Sequence, residues 1–174
     1  MVLRSDFVQD AFVKSKEWKT VRGIADSLQI HMDRKRTLAR LAAANQPGAS
    51  SSEVQKVLLE HALELGFRDE AKGLFKDYAN NGLRPDYFLP IEKTGIILEV
   101  ERGKTNQNNM DFLDLWKCHI CRHAHYLFLM VPAELRQNAN GPVSRPYVAT
   151  RSHMQSFFEP ENYTNVRGLV LFGY

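Results

Sequence analysis

Three carboxylates interrupt a stretch of sequence that otherwise has the composition of buried β-strands. Asp86, Glu99 and Glu101 lie between Arg84 and Lys104, among largely apolar residues. Burying an isolated carboxylate is costly unless a metal ion or a cationic side chain compensates its charge. The three acids therefore need a partner, and their spacing indicates which kind.

The spacing places the three acids on one face of a predicted β-hairpin. A tight turn at Glu92–Lys93 puts Asp86 directly opposite Glu99, where facing Cβ atoms lie about 4.5–5.5 Å apart. Glu101 follows two residues after Glu99, so strand alternation directs it to the same face. Facing like charges destabilise a sheet, whereas hard oxygen ligands suit Mg²⁺. We therefore predict a Mg²⁺ site formed by Asp86, Glu99 and Glu101; the alternative is a frayed sheet edge where arginine or lysine pairs with them.

The order of the elements around this hairpin predicts the fold class. Helical periodicity runs from Asp6 to about Asn45 and from Ser51 to Leu65, with a loop rich in Pro, Gly and Ser between them. After the hairpin, the pattern predicts a helix, a buried strand, another helix and a closing strand, at Met110–Arg122, His125–Pro132, Val148–Phe158 and Val166–Tyr174. We predict a mixed α/β protein with a central sheet flanked by helices. Residues 1–48 would form a helical N-terminal region and residues 49–174 the core.

The hairpin resembles the PD-(D/E)XK nuclease superfamily, which includes type II restriction endonucleases. The superfamily places Pro-Asp at the start of one hairpin strand and Asp/Glu-x-Lys on the next. Pro85–Asp86 and Glu99–Val100–Glu101 match this pattern in order and spacing, and the resemblance covers about residues 51–132. It implies a restriction-endonuclease-like fold in which Asp86 and Glu99 bind Mg²⁺. It also implies hydrolysis of DNA to leave a 5′-phosphate.

The sequence departs from the superfamily pattern at Glu101, which occupies the lysine position. A lysine would stabilise developing charge or help to deprotonate water, whereas a glutamate can act as general base or hold a second metal through water. Lys104 and Lys117 are candidates for supplying the missing positive charge. For Lys117, the alternative is a side chain that only extends from a packed helix toward water. The superfamily often adds an acid from the helix before the hairpin, and here Glu60 and Glu64 both remain open.

Basic residues concentrate in one predicted helix near the N-terminus. The segment from Thr20 to Ala43 resembles a helix-turn-helix, whose second helix would present Arg34, Lys35 and Arg36 to DNA. The alternatives are packing on the core, a dimer interface, or a solvated face. We treat these residues as candidate phosphate contacts.

Two other polar stretches could bind ligands. Asn108 and Asn109 lie in the loop after the acidic strand, and asparagine can make bidentate contacts to adenine. Asn109 could alternatively cap the next helix. The close spacing of Cys118, Cys121, His123 and His125 suggests zinc, but structural zinc sites usually gather ligand pairs from separated segments, so we do not predict zinc.

Composition restricts the remaining choices. With 174 residues, 44% hydrophobic and 25% charged, the chain is typical of a globular protein, and its net charge of +3 permits nucleic-acid binding without requiring it. The longest apolar run, Tyr126–Val131, is too short to span a bilayer. The opening residues lack the apolar core of a secretion signal, so we expect a cytoplasmic location.

These features predict a Mg²⁺-dependent endonuclease that hydrolyses phosphodiester bonds in double-stranded DNA. The form that fits best is a type II restriction endonuclease acting as a homodimer, because two-fold symmetry matches the cutting of both strands at a palindrome. One alternative is a repair or recombination nuclease of the same fold that recognises DNA structure. Another is a non-catalytic regulator that binds DNA through the helix-turn-helix, with merely structural hairpin acids.

Overall fold

A computed structural model describes residues 1–69, 73–103, 106 and 108–174. Its strands are β1 (Leu3–Val8), β2 (Arg68–Asp69), β3 (Tyr87–Ile91), β4 (Thr94–Val100), β5 (Tyr126–Val131), β6 (Leu135–Arg136), β7 (Val143–Ser144) and β8 (Gly168–Gly173). Its α-helices are α1 (Lys16–Met32), α2 (Lys35–Ala44), α3 (Ser51–Glu64), α4 (Met110–Ile120) and α5 (Pro146–Phe157). Within these described ranges, no helix is both long and apolar enough to cross a membrane.

The described strands form a six-stranded mixed sheet in the order β1-β8-β5-β4-β3-β2, beside a small β6-β7 pair. The central strands β4, β5 and β8 are parallel and buried along their whole length, because helices cover both faces. Helices α1, α2 and α3 pack on the face that carries Ile96, Leu98 and Val100. Helices α4 and α5 pack on the face that carries Ile97. The predicted mixed sheet flanked by helices is confirmed.

The predicted register of the acidic hairpin is also confirmed. Tyr87 pairs with Leu98, and the antiparallel pairing continues to the end of β3, which leaves Glu92–Lys93 as the turn. Since side chains alternate along β4, Glu99 lies on the same face as Ile97, toward α4.

The prediction that the chain is helical from Asp6 to about Asn45 was wrong for the first residues of that range. Leu3–Val8 is not helical: it forms the edge strand β1, antiparallel to β8, and the first α-helix begins only at Lys16. Local periodicity did not reveal this strand because its partner lies near the other end of the chain. The division at residue 48 stays a prediction, although both ranges contribute strands to one sheet.

Two stacked histidines join α1 to α3. The ring centroids of His31 and His61 lie 4.2 Å apart, with the planes within 7° of parallel. Burial, followed by repulsion from His61, lowers the pKa of His31 below its ordinary value. This interface therefore favours an uncharged imidazole at residue 31.

Candidate active site

Asp86 and Glu99 are interlocked across the mouth of the hairpin. The backbone N–H of Asp86 donates to Oε2 of Glu99 at 3.1 Å, and the backbone N–H of Val100 donates to Oδ2 of Asp86 at 2.8 Å. Each carboxylate is thus held by the backbone of the opposite strand. Burial raises the pKa of Asp86, and the hydrogen bond from Val100 and the charge of Lys117 partly oppose this.

Lys117 reaches from α4 to the acids of the sheet. Its Nζ lies 2.5 Å from Oε1 of Glu99 and 2.8 Å from Oδ1 of Asp114. The side chain is buried, so it does not extend toward water as the alternative interpretation held. Burial lowers the pKa of Lys117, but the two carboxylates outweigh this effect and raise it, so the ammonium stays charged.

Sequence reasoning missed Asp114, which is fully buried on the inner face of α4. Its Oδ2 has no hydrogen-bond partner within the described ranges. Burial raises the pKa of Asp114 to about 6, against the attraction of Lys117. The available signal was an acid three residues before Lys117 on the same helix face.

Glu101 adds a fourth carboxyl group to this acidic cluster (Asp86, Glu99, Glu101 and Asp114). Burial, then repulsion from Asp114 and Asp86, raises the pKa of Glu101 to about 8. Burial and repulsion from Asp114 also raise the pKa of Glu99 well above its ordinary value, with Lys117 opposing. Lys117 alone cannot balance four carboxylates, so the cluster must retain protons or bind a further cation.

The donor chemistry of the cluster fits a hard divalent cation, although the side chains are not arranged around one point. Among the described residues, no group of three or more acidic, histidine or cysteine side chains is placed to hold a metal ion. Glu99 uses one oxygen for Lys117 and the other for the backbone of Asp86. The surplus of carboxylates and the unpartnered Oδ2 of Asp114 nevertheless match the oxygen ligands that Mg²⁺ prefers.

Helix α3 contributes an amide to the site instead of an acid. Gln55 forms a side-chain hydrogen bond with Asp86 that lowers the pKa of that carboxyl group. Glu60 and Glu64 are exposed, and Glu64 pairs with Nδ1 of His61 at 3.0 Å. Gln55 was not singled out in the sequence because an isolated glutamine carries no motif.

Three candidate site residues lie between β4 and α4 in the sequence: Lys104, Asn108 and Asn109. Lys104 lies outside the described residues. Asn108 and Asn109 are exposed, and Asn109 occupies the N-cap position of α4 in a left-handed conformation, with φ of 54°. The side chain of Asn109 makes no capping hydrogen bond, so its amide group is not used to cap the helix.

Both ends of helix α2 are hydrogen-bonded to the end of the sheet where the acidic cluster is located. Strands β4, β5 and β8 finish at this end, and β1 begins there. The backbone N–H of Val2 donates to Oδ1 of Asp33, just before α2, at 2.6 Å. After α2, Nδ2 of Asn45 donates to the carbonyl of Glu134, beyond β5, at 3.0 Å. These contacts connect both ends of α2 to segments at the carboxyl ends of the strands.

A further contact connects α2 to the strand that carries the acids. The guanidinium of Arg102, just after β4, donates to two backbone carbonyls in the loop that follows α2. At the start of α2, three cationic side chains are exposed: Arg34, Lys35 and Arg36. Exposed positive charge and buried negative charge therefore occur at the same end of the sheet.

Comparisons with known proteins give a structural relative but no relative by sequence. No family model matches the chain, and no curated protein matches it. Among solved structures, it is similar to the restriction endonuclease BglII complexed with a DNA 16-mer. The TM-score is 0.52 and the identity 11%, covering 99% of this chain and 77% of that chain. At this identity the similarity shows the fold alone: the chain has a restriction-endonuclease-like fold.

Proposed function

We propose that this protein is a Mg²⁺-dependent endonuclease that hydrolyses phosphodiester bonds in double-stranded DNA, in its most specific form a type II restriction endonuclease. The observation that carries the proposal is the interlocked pair of Asp86 and Glu99. A hairpin that holds two carboxylates together, with Glu101 beside them, is unfavourable unless a cation in addition to Lys117 balances their charge. The restriction-endonuclease-like fold supports the same function.

Asp86, Glu99 and Glu101 would hold the Mg²⁺ ion in this proposal. When bound, the ion would polarise the phosphate and lower the pKa of a water molecule. The chain itself holds the ligands in position: Gln55 bonds to Asp86, and Lys117 bonds to Glu99. Such support from neighbouring residues keeps the carboxylates in one geometry before substrate binds.

Glu101 and Lys117 would share the role of the superfamily lysine. A raised pKa makes the Glu101 carboxylate a stronger proton acceptor once it is ionised, and we assign it the proton of the attacking water. Lys117 carries the positive charge that would stabilise the reacting phosphate. Because Glu99 and Asp114 hold its ammonium, this charge is fixed in position.

DNA would approach the end of the sheet to which α2 is hydrogen-bonded. Arg34, Lys35 and Arg36 would contact phosphates there, and Asn108 and Asn109 are exposed in the loop after the acidic strand. A homodimer would bring two such sites to the two strands of a palindrome.

The test incubates the purified protein with plasmid, linear and branched DNA in the presence of Mg²⁺ or EDTA. We expect cleavage in Mg²⁺ and none in EDTA. Discrete plasmid fragments would support a restriction endonuclease, whereas selective cutting at branches would support a repair nuclease. DNA binding without cleavage of any substrate would contradict the proposal and favour a non-catalytic DNA-binding regulator.

A further inference from the structure

A buried aspartate and a histidine form a pair next to the acidic cluster. Asp111 on α4 has no exposed surface, and its Oδ2 lies 2.8 Å from Nδ1 of His153 on α5. Asp111 lies three residues before Asp114, so the two acids share a face of α4, one helical turn apart. The described contacts of this pair include neither Asp86 nor Lys117, and the function proposed above does not use it.

The partners of Asp111 determine where the protons are. Nδ2 of Asn106 donates to Oδ2 of Asp111 at 3.1 Å, and Oγ1 of Thr150 donates to the same oxygen at 3.3 Å. The backbone N–H of Phe112 donates to Oδ1 at 3.1 Å. Because the other contacts of Asp111 all come from donors, Nδ1 of His153 supplies the hydrogen that it shares with Asp111.

The remaining nitrogen of His153 is open and its direction is fixed. The imidazole stacks on Phe112 with ring centroids 4.7 Å apart, and the side chain is 36% exposed. Within the described part of the chain, Nε2 has no hydrogen-bond partner. Asp111 and Phe112 thus orient a ring whose unused nitrogen reaches the surface. If His153 served only to neutralise Asp111, this nitrogen would have no role.

The start of α4 adds a second feature that suits an anion. The N-cap residue Asn109 provides no side-chain hydrogen bond to the first turn, in which the N–H of Phe112 donates to Asp111; helices have further N–H groups there without an intrahelical partner. Such a terminus attracts negative charge. His153 bonds to the second residue of this helix, so the open nitrogen and the helix start lie close together.

We propose, on the basis of the function proposed above, that His153, with a hydrogen on both ring nitrogens, keeps Nδ1–H on Asp111 and donates a hydrogen bond from Nε2–H to a DNA phosphate next to the one that is cleaved. Asp111 lies one helical turn from Asp114 and two from Lys117, at about 5.4 Å per turn. Each nucleotide carries a phosphate, so a contact at this offset reaches a neighbour of the scissile group. His153 is therefore a phosphate-binding residue, and Asp111 is its positioning residue.

The test combines a protein substitution with a change in the DNA. His153→Asn keeps an N–H donor near Nδ1 for Asp111 but removes Nε2. In duplexes, one phosphate at a time near the cleavage site is replaced by an uncharged methylphosphonate, and affinity is measured in EDTA. We expect one replacement to weaken binding by the wild-type protein about tenfold, as befits a hydrogen bond to a charged group. The same replacement should leave binding by His153→Asn nearly unchanged.

His123→Asn is the matched control, because His123 is exposed near the start of β5, at the opposite end of the sheet. It should show the same methylphosphonate profile as the wild-type protein. Side-chain NMR of the wild-type protein provides a measurement that needs no variant: the Nε2 resonance of His153 should move when duplex DNA binds.

Three results would overturn this inference. One is an equal methylphosphonate penalty at every position for His153→Asn and the wild-type protein, with DNA cleavage intact; this would leave the proposed function standing. Another is a His153 resonance that DNA does not move. A wild-type protein that neither binds nor cleaves DNA would overturn both this inference and the proposed function.

Discussion

Replacing Glu101 with glutamine should stabilise the metal-free protein at alkaline pH and cripple DNA cleavage. The pKa of Glu101 is raised from 4.5 to about 8, first by burial and then by repulsion from Asp114 and Asp86. The folded protein therefore retains a proton that the unfolded chain releases above its ordinary pKa. As a consequence, the free energy of unfolding falls as the pH rises through this interval, and the stability is fully present only below it.

The size of the change in the free energy of unfolding follows from the interval between the ordinary and the raised pKa of Glu101. One retained proton lowers the free energy of unfolding by about 1.4 kcal/mol for each pH unit. Between about pH 5 and about pH 8, the loss is on the order of 3–4 kcal/mol at most, because neighbouring carboxyl groups share the titration. Glutamine has nearly the same shape but no charge. Glu101→Gln should therefore exceed the wild-type protein by up to this amount at the higher pH and match it at the lower pH.

Two assays check the prediction. Urea unfolding in EDTA at the two pH values measures the free energy of unfolding, and single-turnover cleavage in Mg²⁺ measures the chemical step. Loss of a general base should slow cleavage by about 10²–10⁴-fold. Glu92→Gln is the control: Glu92 is exposed at the turn of the same hairpin and its ion pair with Lys16 is exposed too, so the cleavage rate and the pH dependence of stability should stay at their wild-type values.

The reasoning fails if Glu101→Gln and the wild-type protein lose stability equally with rising pH, because Glu101 would then not retain the proton. A variant that cleaves at the wild-type rate would exclude Glu101 as the base. A variant that is less stable at both pH values and also inactive would indicate a packing role.

Asp86→Ala should abolish cleavage and leave DNA affinity within about one order of magnitude, because losing a carboxylate also relieves repulsion of phosphate; substantial single-turnover cleavage would exclude its assignment as a metal ligand. Replacing Arg34, Lys35 and Arg36 with alanine should reduce the slope of log K against log salt by about 0.9 for each phosphate that the protein no longer neutralises, and an unchanged slope would mean that this surface does not bind DNA. Because the pKa of His31 is lowered in the folded protein, the unfolded chain binds a proton at this residue at a higher pH than the folded protein does. Stability should therefore fall as the pH drops below about 6.5. His31→Phe keeps a stacking ring and should weaken this acid dependence, and an identical urea-unfolding profile in both proteins would refute the argument.

The hairpin and the face on which its acids lie could be predicted from the amino-acid sequence. The turn sets the register, and strand alternation assigns Glu99 and Glu101 to the face that Asp86 joins at the hairpin mouth. Both rules act between residues that are close in the chain. For the same reason, the long periodic segments were sufficient to predict the mixed α/β class, its helical segments and four of the eight described strands, β3, β4, β5 and β8.

The contacts of those acids, in contrast, depend on how distant segments pack. The periodicity of α4 shows which residues face inward, but the packing of α4 on β4 brings Lys117 to Glu99. The contact of Gln55 with Asp86 and the pairing of β1 with β8 also join segments far apart in the chain. Periodicity within an element is set by near neighbours, whereas contacts between elements depend on the volumes and connections of the whole chain. The sequence thus predicted that the hairpin acids share one face, and the tertiary structure adds Asp114 to them and pairs Lys117 with Glu99 and Asp114.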